Sequence, residues 1–126
     1  MQELGVHLHI ELWECDTELL NTPQAVENAL VQAAHSANCT VVKRVIHQFK
    51  PQGVSGVVVL AESHISVHTW PELGYAALDV FTCGADCHPQ KAAEHLIASF
   101  SAKKSTVKSF SRGIPEPSLH SVAKIA

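Results

Sequence analysis

The feature that most constrains this chain is the strand-like stretch Val54–Trp70, which is rich in β-branched residues. Most strands run about 3–10 residues, so this stretch is too long for one regular strand. It holds a Glu62–Ser63 peptide bond after an apolar run, and His68 follows five residues beyond the serine. Residues five apart on a flat strand point to opposite faces. We therefore expect a bend or bulge within Ala61–Ser66 that would let Ser63 and His68 meet.

The rest of the chain alternates between strand-like and helix-like segments. Polar and apolar residues alternate from Val6 to Leu12, which is typical of a half-buried strand. Asn21-Thr22-Pro23 supplies a cap and a first-turn proline ahead of an apolar helical stripe. The predicted strands are Val6–Leu12, Val41–Phe49, Val54–Trp70, Tyr75–Cys83 and Ser105–Phe110, with one helix after Pro23 and another around residues 93–100.

This order, β-α-β-β-β-α-β, predicts an α+β fold in which two helices cover one face of an antiparallel sheet. The other face carries apolar side chains such as Trp13, so we expect two sheets to stack in a homodimer. We interpret residues 1–126 as a single domain, because a chain of this length suffices for one core. Residues 115–126 show no pattern and are interpreted as a loose tail.

Composition argues against two classes of partner. The formal net charge is −3 and the basic residues are scattered, so we expect no nucleic-acid surface. No apolar run is long enough to span a bilayer, so we expect no membrane segment and a cytoplasmic location. The cysteines show no familiar disulfide or metal spacing and are interpreted as thiols; they are Cys15, Cys39, Cys83 and Cys87.

The histidines raise the question of a metal. His7 and His9 lie on the same face of the first predicted strand. Zinc sites need three or four convergent ligands, and the sequence shows no HxxxH or CxxC pair that would supply them. We therefore interpret these histidines as structural or surface residues and expect no metal site.

The segment around Ser63 resembles a self-processing family. The stretch Glu62–Glu72 (ESHISVHTWPE) and the later Phe81–Gly84 (FTCG) closely match bacterial S-adenosylmethionine decarboxylase, a pyruvoyl-dependent enzyme of spermidine synthesis. The resemblance runs from about Leu4 to about Pro115. It implies cleavage into a β chain, residues 1–62, and an α chain, residues 63–126, with active sites at the interface of a homodimer.

The resemblance also implies a role for each matching residue. Ser63 attacks the Glu62 carbonyl to form an ester, and β-elimination leaves a pyruvoyl group at position 63. His68 is the expected proton acceptor in processing, and Ser55 assists it by hydrogen bonding. The pyruvoyl group forms a Schiff base with the substrate amine and takes up electrons as carbon dioxide leaves. Cys83 is the expected proton donor, since a thiol with a pKa of about 8.5 is mostly protonated at neutral pH.

Three further residues match positions that contact the substrate. Glu72 matches a carboxylate that hydrogen bonds the ribose hydroxyls of S-adenosylmethionine. Phe49 and Trp70 match aromatic positions around the nucleoside. An aromatic face suits both the adenine and the nearby sulfonium, whose cation–π attraction is worth about 0.5–2 kcal/mol.

Two alternatives stay open from the sequence. Pyruvoyl-dependent arginine or ornithine decarboxylases on the same scaffold would share Ser63, His68 and Cys83. A ligand-binding module that never cleaves itself would also be compatible with the predicted fold. The nucleoside-facing residues favour S-adenosylmethionine over the amino acids.

Overall fold

The computed structural model describes residues 3–115, in which a six-stranded antiparallel sheet carries two long helices. The strand order is β2-β3-β4-β5-β1-β6, and the helices pack on each other and on one face of the sheet. The predicted α+β fold is confirmed. The strands are β1 (Gly5–Trp13), β2 (Val41–Gln48), β3 (Val54–Leu60), β4 (Ser63–Trp70), β5 (Tyr75–Cys83) and β6 (Lys104–Arg112); the helices are α1 (Thr17–Leu20), α2 (Pro23–Ser36) and α3 (Pro89–Ser99), and Pro71–Leu73 forms a 3₁₀ helix.

The structure corrects the sequence prediction in the middle of the chain. The stretch predicted as one bent strand is two strands, β3 and β4, joined by a two-residue turn at Ala61-Glu62. Leu60 and Ser63 form the first pair of this hairpin. The short helix α1 and the 3₁₀ helix are also additions to the predicted elements. The predicted loose tail lies, beyond Pro115, outside the described residues.

The core lies between the sheet and the helices. Helix α2 begins with Pro23. Proline lacks a backbone N–H, but the N–H of a first helical position makes no hydrogen bond within the helix, so nothing is lost there. Side chains at helical spacing then point towards the sheet, among them the fully buried Val26 and Leu30. Phe100, just after α3, is the largest fully buried side chain. Alternate residues of β4 and β5 complete the core, because successive strand side chains face opposite sides.

The second face of the sheet is uncovered and partly apolar, and we call it the open face. Trp13 is 43% exposed, Phe49 40% and Phe110 44%, and Val45 and Val59 are also exposed there. Large apolar side chains grouped on one face indicate an interaction surface. Among residues 3–115, no helix is long and apolar enough to cross a membrane.

Candidate active site

Ser63 occupies a strained position at the start of β4. The turn before it has neither glycine nor asparagine, the residues that two-residue hairpin turns prefer. The strain falls on Ser63 instead, whose φ is 140°, a value that residues with a side chain rarely adopt. Its hydroxyl oxygen lies 3.3 Å from Nδ1 of the adjacent His64. Strained backbone of this kind costs about 1–3 kcal/mol and is often found at functional sites.

Glu62 is held from both sides at this turn. Its carbonyl oxygen accepts a hydrogen bond of 2.8 Å from the backbone N–H of Cys83. Its side-chain Oε1 accepts a hydrogen bond of 3.0 Å from the N–H of Thr40. The carbonyl oxygen of Thr40 in turn accepts a hydrogen bond of 2.9 Å from the N–H of Ala61. A hydrogen bond to a carbonyl oxygen stabilises the negative charge that develops there under nucleophilic attack. The peptide carbonyl before Ser63 is therefore oriented and polarised.

Cys83 lies at the end of β5, beside this turn. Ser63 pairs with Thr82, so Cys83 is the next residue on the neighbouring strand. It is a free thiol of intermediate exposure. Gly84 follows with a φ of 88°, which turns the chain away from the sheet and suits glycine. Strand pairing thus places Cys83 one residue along from the partner of Ser63.

A second group of predicted residues gathers around His68. Ser55 and His68 are cross-strand partners, and the Ser55 hydroxyl lies 2.5 Å from Nδ1 of His68. The imidazole also contacts Trp70, at a ring-centroid distance of 4.3 Å, and Phe49, at 5.6 Å. Ser55 and His68 line a groove of about 400 Å³ on the open face. Glu72 follows in the 3₁₀ helix and lines a separate polar groove.

These two groups do not meet within one chain. Ser63 and His68 are at opposite ends of β4, where five residues span about 16 Å at the usual strand rise. The chain does bend within Ala61–Ser66, but the reversal lies at Ala61-Glu62, before Ser63, and β4 continues regularly to Trp70. The prediction that Ser63 and His68 meet on a single chain is therefore wrong for this structure.

Sequence reasoning missed a polar and aromatic group next to Trp70. The Tyr75 ring stacks on Trp13 with centroids 4.2 Å apart and lies 5.2 Å from that of Trp70. Its hydroxyl donates a hydrogen bond of 2.5 Å to Oε1 of Glu11. Burial, followed by this hydrogen bond and the negative charge of Glu11, raises the pKa of Tyr75 to about 12. No local sequence pattern connects Glu11 with Tyr75, since they meet only through strand pairing.

The structure also brings His7 and His9 together with Asp79 on the open face. Nε2 of His7 lies 3.1 Å from Oδ1 of Asp79, and Nε2 of His9 lies 3.8 Å from the same oxygen. Arg112 donates to Nδ1 of His7 at 2.8 Å. That bond assigns the remaining His7 proton to Nε2, which points to Asp79. The potential ligand atoms of His7, His9 and Asp79 all lie within 4.8 Å of one another.

Comparisons with known proteins agree on one family. The family model described as S-adenosylmethionine decarboxylase matches residues 6–113. The S-adenosylmethionine decarboxylase proenzyme of Pelotomaculum thermopropionicum is 50% identical over 126 residues, covering 99% of this chain and 100% of that protein. The proenzyme of Thermotoga maritima is 49% identical, covering 98% and 99%. The crystal structure of the adenosylmethionine decarboxylase from Aquifex aeolicus matches with a TM-score of 0.86 at 36% identity, covering 93% of this chain and 97% of that one.

The fold and the site define a two-layer α+β protein with a strained serine after a hairpin turn and an uncovered sheet face. The matches extend over nearly the whole chain and include both groups of candidate residues. The chain belongs to the S-adenosylmethionine decarboxylase family. The family predicted from the motifs around Ser63 and Cys83 is therefore confirmed.

Proposed function

We propose that this protein cleaves itself between Glu62 and Ser63 and then decarboxylates S-adenosylmethionine to S-adenosylmethioninamine, which serves spermidine synthesis. The observation that carries the proposal is the Glu62–Ser63 bond itself, with a strained serine and a carbonyl held by the Cys83 N–H. The names of the relatives, which include the word proenzyme, support both steps. Those names also favour S-adenosylmethionine over the arginine and ornithine alternatives.

The first step is an N→O acyl shift. The Ser63 hydroxyl loses its proton and bonds to the Glu62 carbonyl carbon, the Glu62–Ser63 C–N bond breaks, and the freed nitrogen takes up a proton. The Cys83 N–H, 2.8 Å from the carbonyl oxygen, stabilises the oxyanion that forms during this attack. Relief of the unusual φ of Ser63 also favours the rearrangement.

A β-elimination then separates the chains. A base removes the Ser63 α-proton, the Cβ–Oγ bond breaks, and Glu62 leaves as a carboxylate. The dehydroalanine left at position 63 reacts with water to give a pyruvoyl group and ammonia. We assign His68 as the base, since Ser55 holds its ring at Nδ1 and leaves Nε2 for proton transfer.

A pyruvoyl group fits this position. Residue 63 is the serine from which the group is made, and the carbonyl before it is already oriented by a backbone donor. The group supplies an electrophilic ketone that draws electrons from the substrate as carbon dioxide leaves. The Cys83 thiol, beside residue 63 and partly exposed, can deliver a proton to the substrate carbon afterwards.

The substrate residues belong to the His68 end of the sheet. Phe49 and Trp70 flank the His68 ring and offer aromatic faces to a nucleoside and to a sulfonium. Glu72, two residues after Trp70 in the 3₁₀ helix, offers a carboxylate to the ribose hydroxyls.

The separation of the two groups supports a composite site in a homodimer. A second copy that stacks its open face antiparallel on the first would place its His68 near Ser63 of its partner. Stacked sheets lie about 10 Å apart, a gap that side chains from both faces fill. The exposed Trp13, Val45 and Phe110 supply apolar surface for such an interface.

Intact-mass spectrometry of the purified protein tests the proposal. The native sequence should yield two chains, residues 1–62 and 63–126, with a ketone on the second that reacts with a hydrazine reagent. Ser63→Ala should remain whole, whereas Ser36→Ala, which changes an exposed serine on α2, should be cleaved normally. Native protein that stays whole on long incubation would support the non-cleaving module.

Substrate choice is tested separately on the cleaved protein. Release of labelled carbon dioxide is measured from S-adenosylmethionine, arginine and ornithine at equal concentrations. We expect release from S-adenosylmethionine, and loss of most of it in Glu72→Ala. Release from arginine or ornithine alone would overturn the assignment.

A further inference from the structure

We propose that Cys39 and Cys87 form a thiol–disulfide pair that covalently joins the two chains produced by self-cleavage. The structure joins these two cysteines as a disulfide, although the sequence suggested unpaired thiols. Cys39 precedes the Glu62–Ser63 bond and Cys87 follows it, so one bond would connect the β chain to the α chain. The inference rests on the proposed self-cleavage for this consequence, while the pairing itself stands on the geometry.

The backbone holds the two cysteines together independently of the bond between them. Their Cα atoms are 5.4 Å apart, within the range that a disulfide bridges. The N–H of His88 donates to the carbonyl oxygen of Ala37 at 2.8 Å, and the Asn38 side chain donates to the carbonyl oxygen of Asp86 at 3.1 Å. These bonds join the residues on either side of Cys87 to the two residues that precede Cys39. The thiols are therefore adjacent before oxidation, and little loop ordering remains to oppose bond formation.

Both sulfur-bearing residues are buried, yet each borders a surface groove. Cys39 and Cys87 are each 6% exposed. Cys39 lines a groove of about 520 Å³ together with Val41 and Lys43. Cys87 lines another of about 240 Å³ on a different side, with Gly84 and Pro89. Each groove therefore gives a disulfide reagent a route to one of the two cysteines.

The pair lies next to the residues that hold the cleavage site. Thr40, directly after Cys39, binds both Ala61 and Glu62 through its backbone. Cys87 lies in the short loop that follows Cys83, and the N–H of Cys83 donates a hydrogen bond to the Glu62 carbonyl oxygen. The disulfide thus joins the segment of Thr40 to the loop after Cys83, and both Thr40 and Cys83 hydrogen bond Glu62. After cleavage, Glu62 becomes the end of the β chain, and the bond keeps that end in place.

The redox step needs an oxidant, and a small-molecule disulfide of the glutathione class supplies it. The thiolate of one cysteine attacks the reagent and releases one thiol, giving a mixed disulfide. The second cysteine then attacks the protein sulfur of that mixed disulfide and releases the second thiol. Two protein thiols are oxidised to one disulfide, and two electrons and two protons pass to the reagent.

The test compares cleaved protein that has been equilibrated with oxidised glutathione or with dithiothreitol and then blocked with N-ethylmaleimide. Mass spectra are recorded under denaturing, non-reducing conditions. The oxidised sample should be nearly all one species, whose mass is the sum of both chains less two hydrogens. The reduced sample should be nearly all two separate chains.

Single-residue variants identify the link. Cys39→Ser and Cys87→Ser should each give separate chains under every condition, and Cys15→Ser should behave like the native sequence. Separate chains in oxidised native protein, with both cysteines blocked by the maleimide or by glutathione, would overturn the proposal. A carboxylate oxygen of Glu62 lies within 4.8 Å of both sulfurs. Protection of both thiols by a metal bound to these three residues, detected as metal in the folded protein without the loss of two hydrogens, would also overturn the proposal.

The failure of this proposal is distinguishable from failure of the proposed function. A reduced sample that shows only whole chain would refute self-cleavage. In that case the disulfide would still appear as a loss of two hydrogens from the whole chain and as two cysteines that resist the maleimide.

Discussion

The distance between Ser63 and His68 predicts that two uncleaved variants rescue each other. The two residues are about 16 Å apart along β4, so neither can serve the other within one chain. In a dimer with stacked open faces, each cleavage site would take Ser63 from one chain and His68 from the other. A Ser63→Ala chain and a His68→Ala chain together therefore make one intact site and one site that lacks both residues.

The magnitude follows from random pairing. Equal co-expression gives heterodimers in about half of all dimers. Only the His68→Ala chain of a heterodimer keeps Ser63, so one of the two chains in each heterodimer should be cleaved. Cleaved chains should therefore be about a quarter of all chains. No Ser63→Ala chain should be cleaved.

Intact-mass spectrometry of a co-expressed pair, with a different affinity tag on each chain, measures this directly. Each variant expressed alone is the control and should keep the mass of the whole chain. Purification through both tags isolates the heterodimer. Recovery of a heterodimer in which both chains stay whole would refute the composite site, as would a heterodimer whose cleaved chain is the Ser63→Ala one.

Four further outcomes are expected. His68→Ala alone should stop at the ester, so hydroxylamine should still cut it at the Glu62–Ser63 position; resistance to that reagent would contradict the order of steps. Cys83→Ala should cleave yet lose activity within fewer turnovers than native protein, measured as product formed per subunit. Tyr75 is the only tyrosine, and its ultraviolet titration should have a midpoint near pH 12 that falls in Glu11→Gln. Because the pKa of Tyr75 in the folded protein is raised from 10.0 to about 12, the stability that the neutral Tyr75 adds is complete below pH 10 and declines above it. Leu96→Ala, at a fully buried position, should lower the free energy of unfolding by about 2–5 kcal/mol in urea.

The element order could be predicted because its signals are local. The alternation in β1 and the proline start of α2 depend on neighbouring residues alone. The hairpin at Ala61-Glu62 was missed because it has none of the residues that mark a tight turn. Its strain appears as a positive φ at Ser63, which no sequence pattern encodes. The error in the turn then produced the error about His68.

The candidate residues themselves came from the resemblance, and their grouping came from the structure. Cys83 lies beside the cleavage site only because β5 pairs with β4. The Cys39–Cys87 pair is 48 residues apart in sequence, so it depends on the packing of the end of α2 against the start of α3. Long-range contacts of this kind have no local signature. The roles assigned to the candidate residues, the homodimer and the cytoplasmic location stay predictions; the residues are Ser55, Ser63, His68, Cys83, Phe49, Trp70 and Glu72.

The strand order explains how a chain cut at this position can remain one folded body. Cleavage after residue 62 would assign β1, β2 and β3 to one product and β4, β5 and β6 to the other. In the sheet, β1 lies between β5 and β6, and β3 pairs with β4. Each product thus contributes strands whose hydrogen-bonding partners belong to the other, and neither retains a complete sheet. The proposed cut would fall at the end of a turn, where no strand pairing is lost, so the sheet and its core would survive it and the new chain end at position 63 would stay beside Cys83.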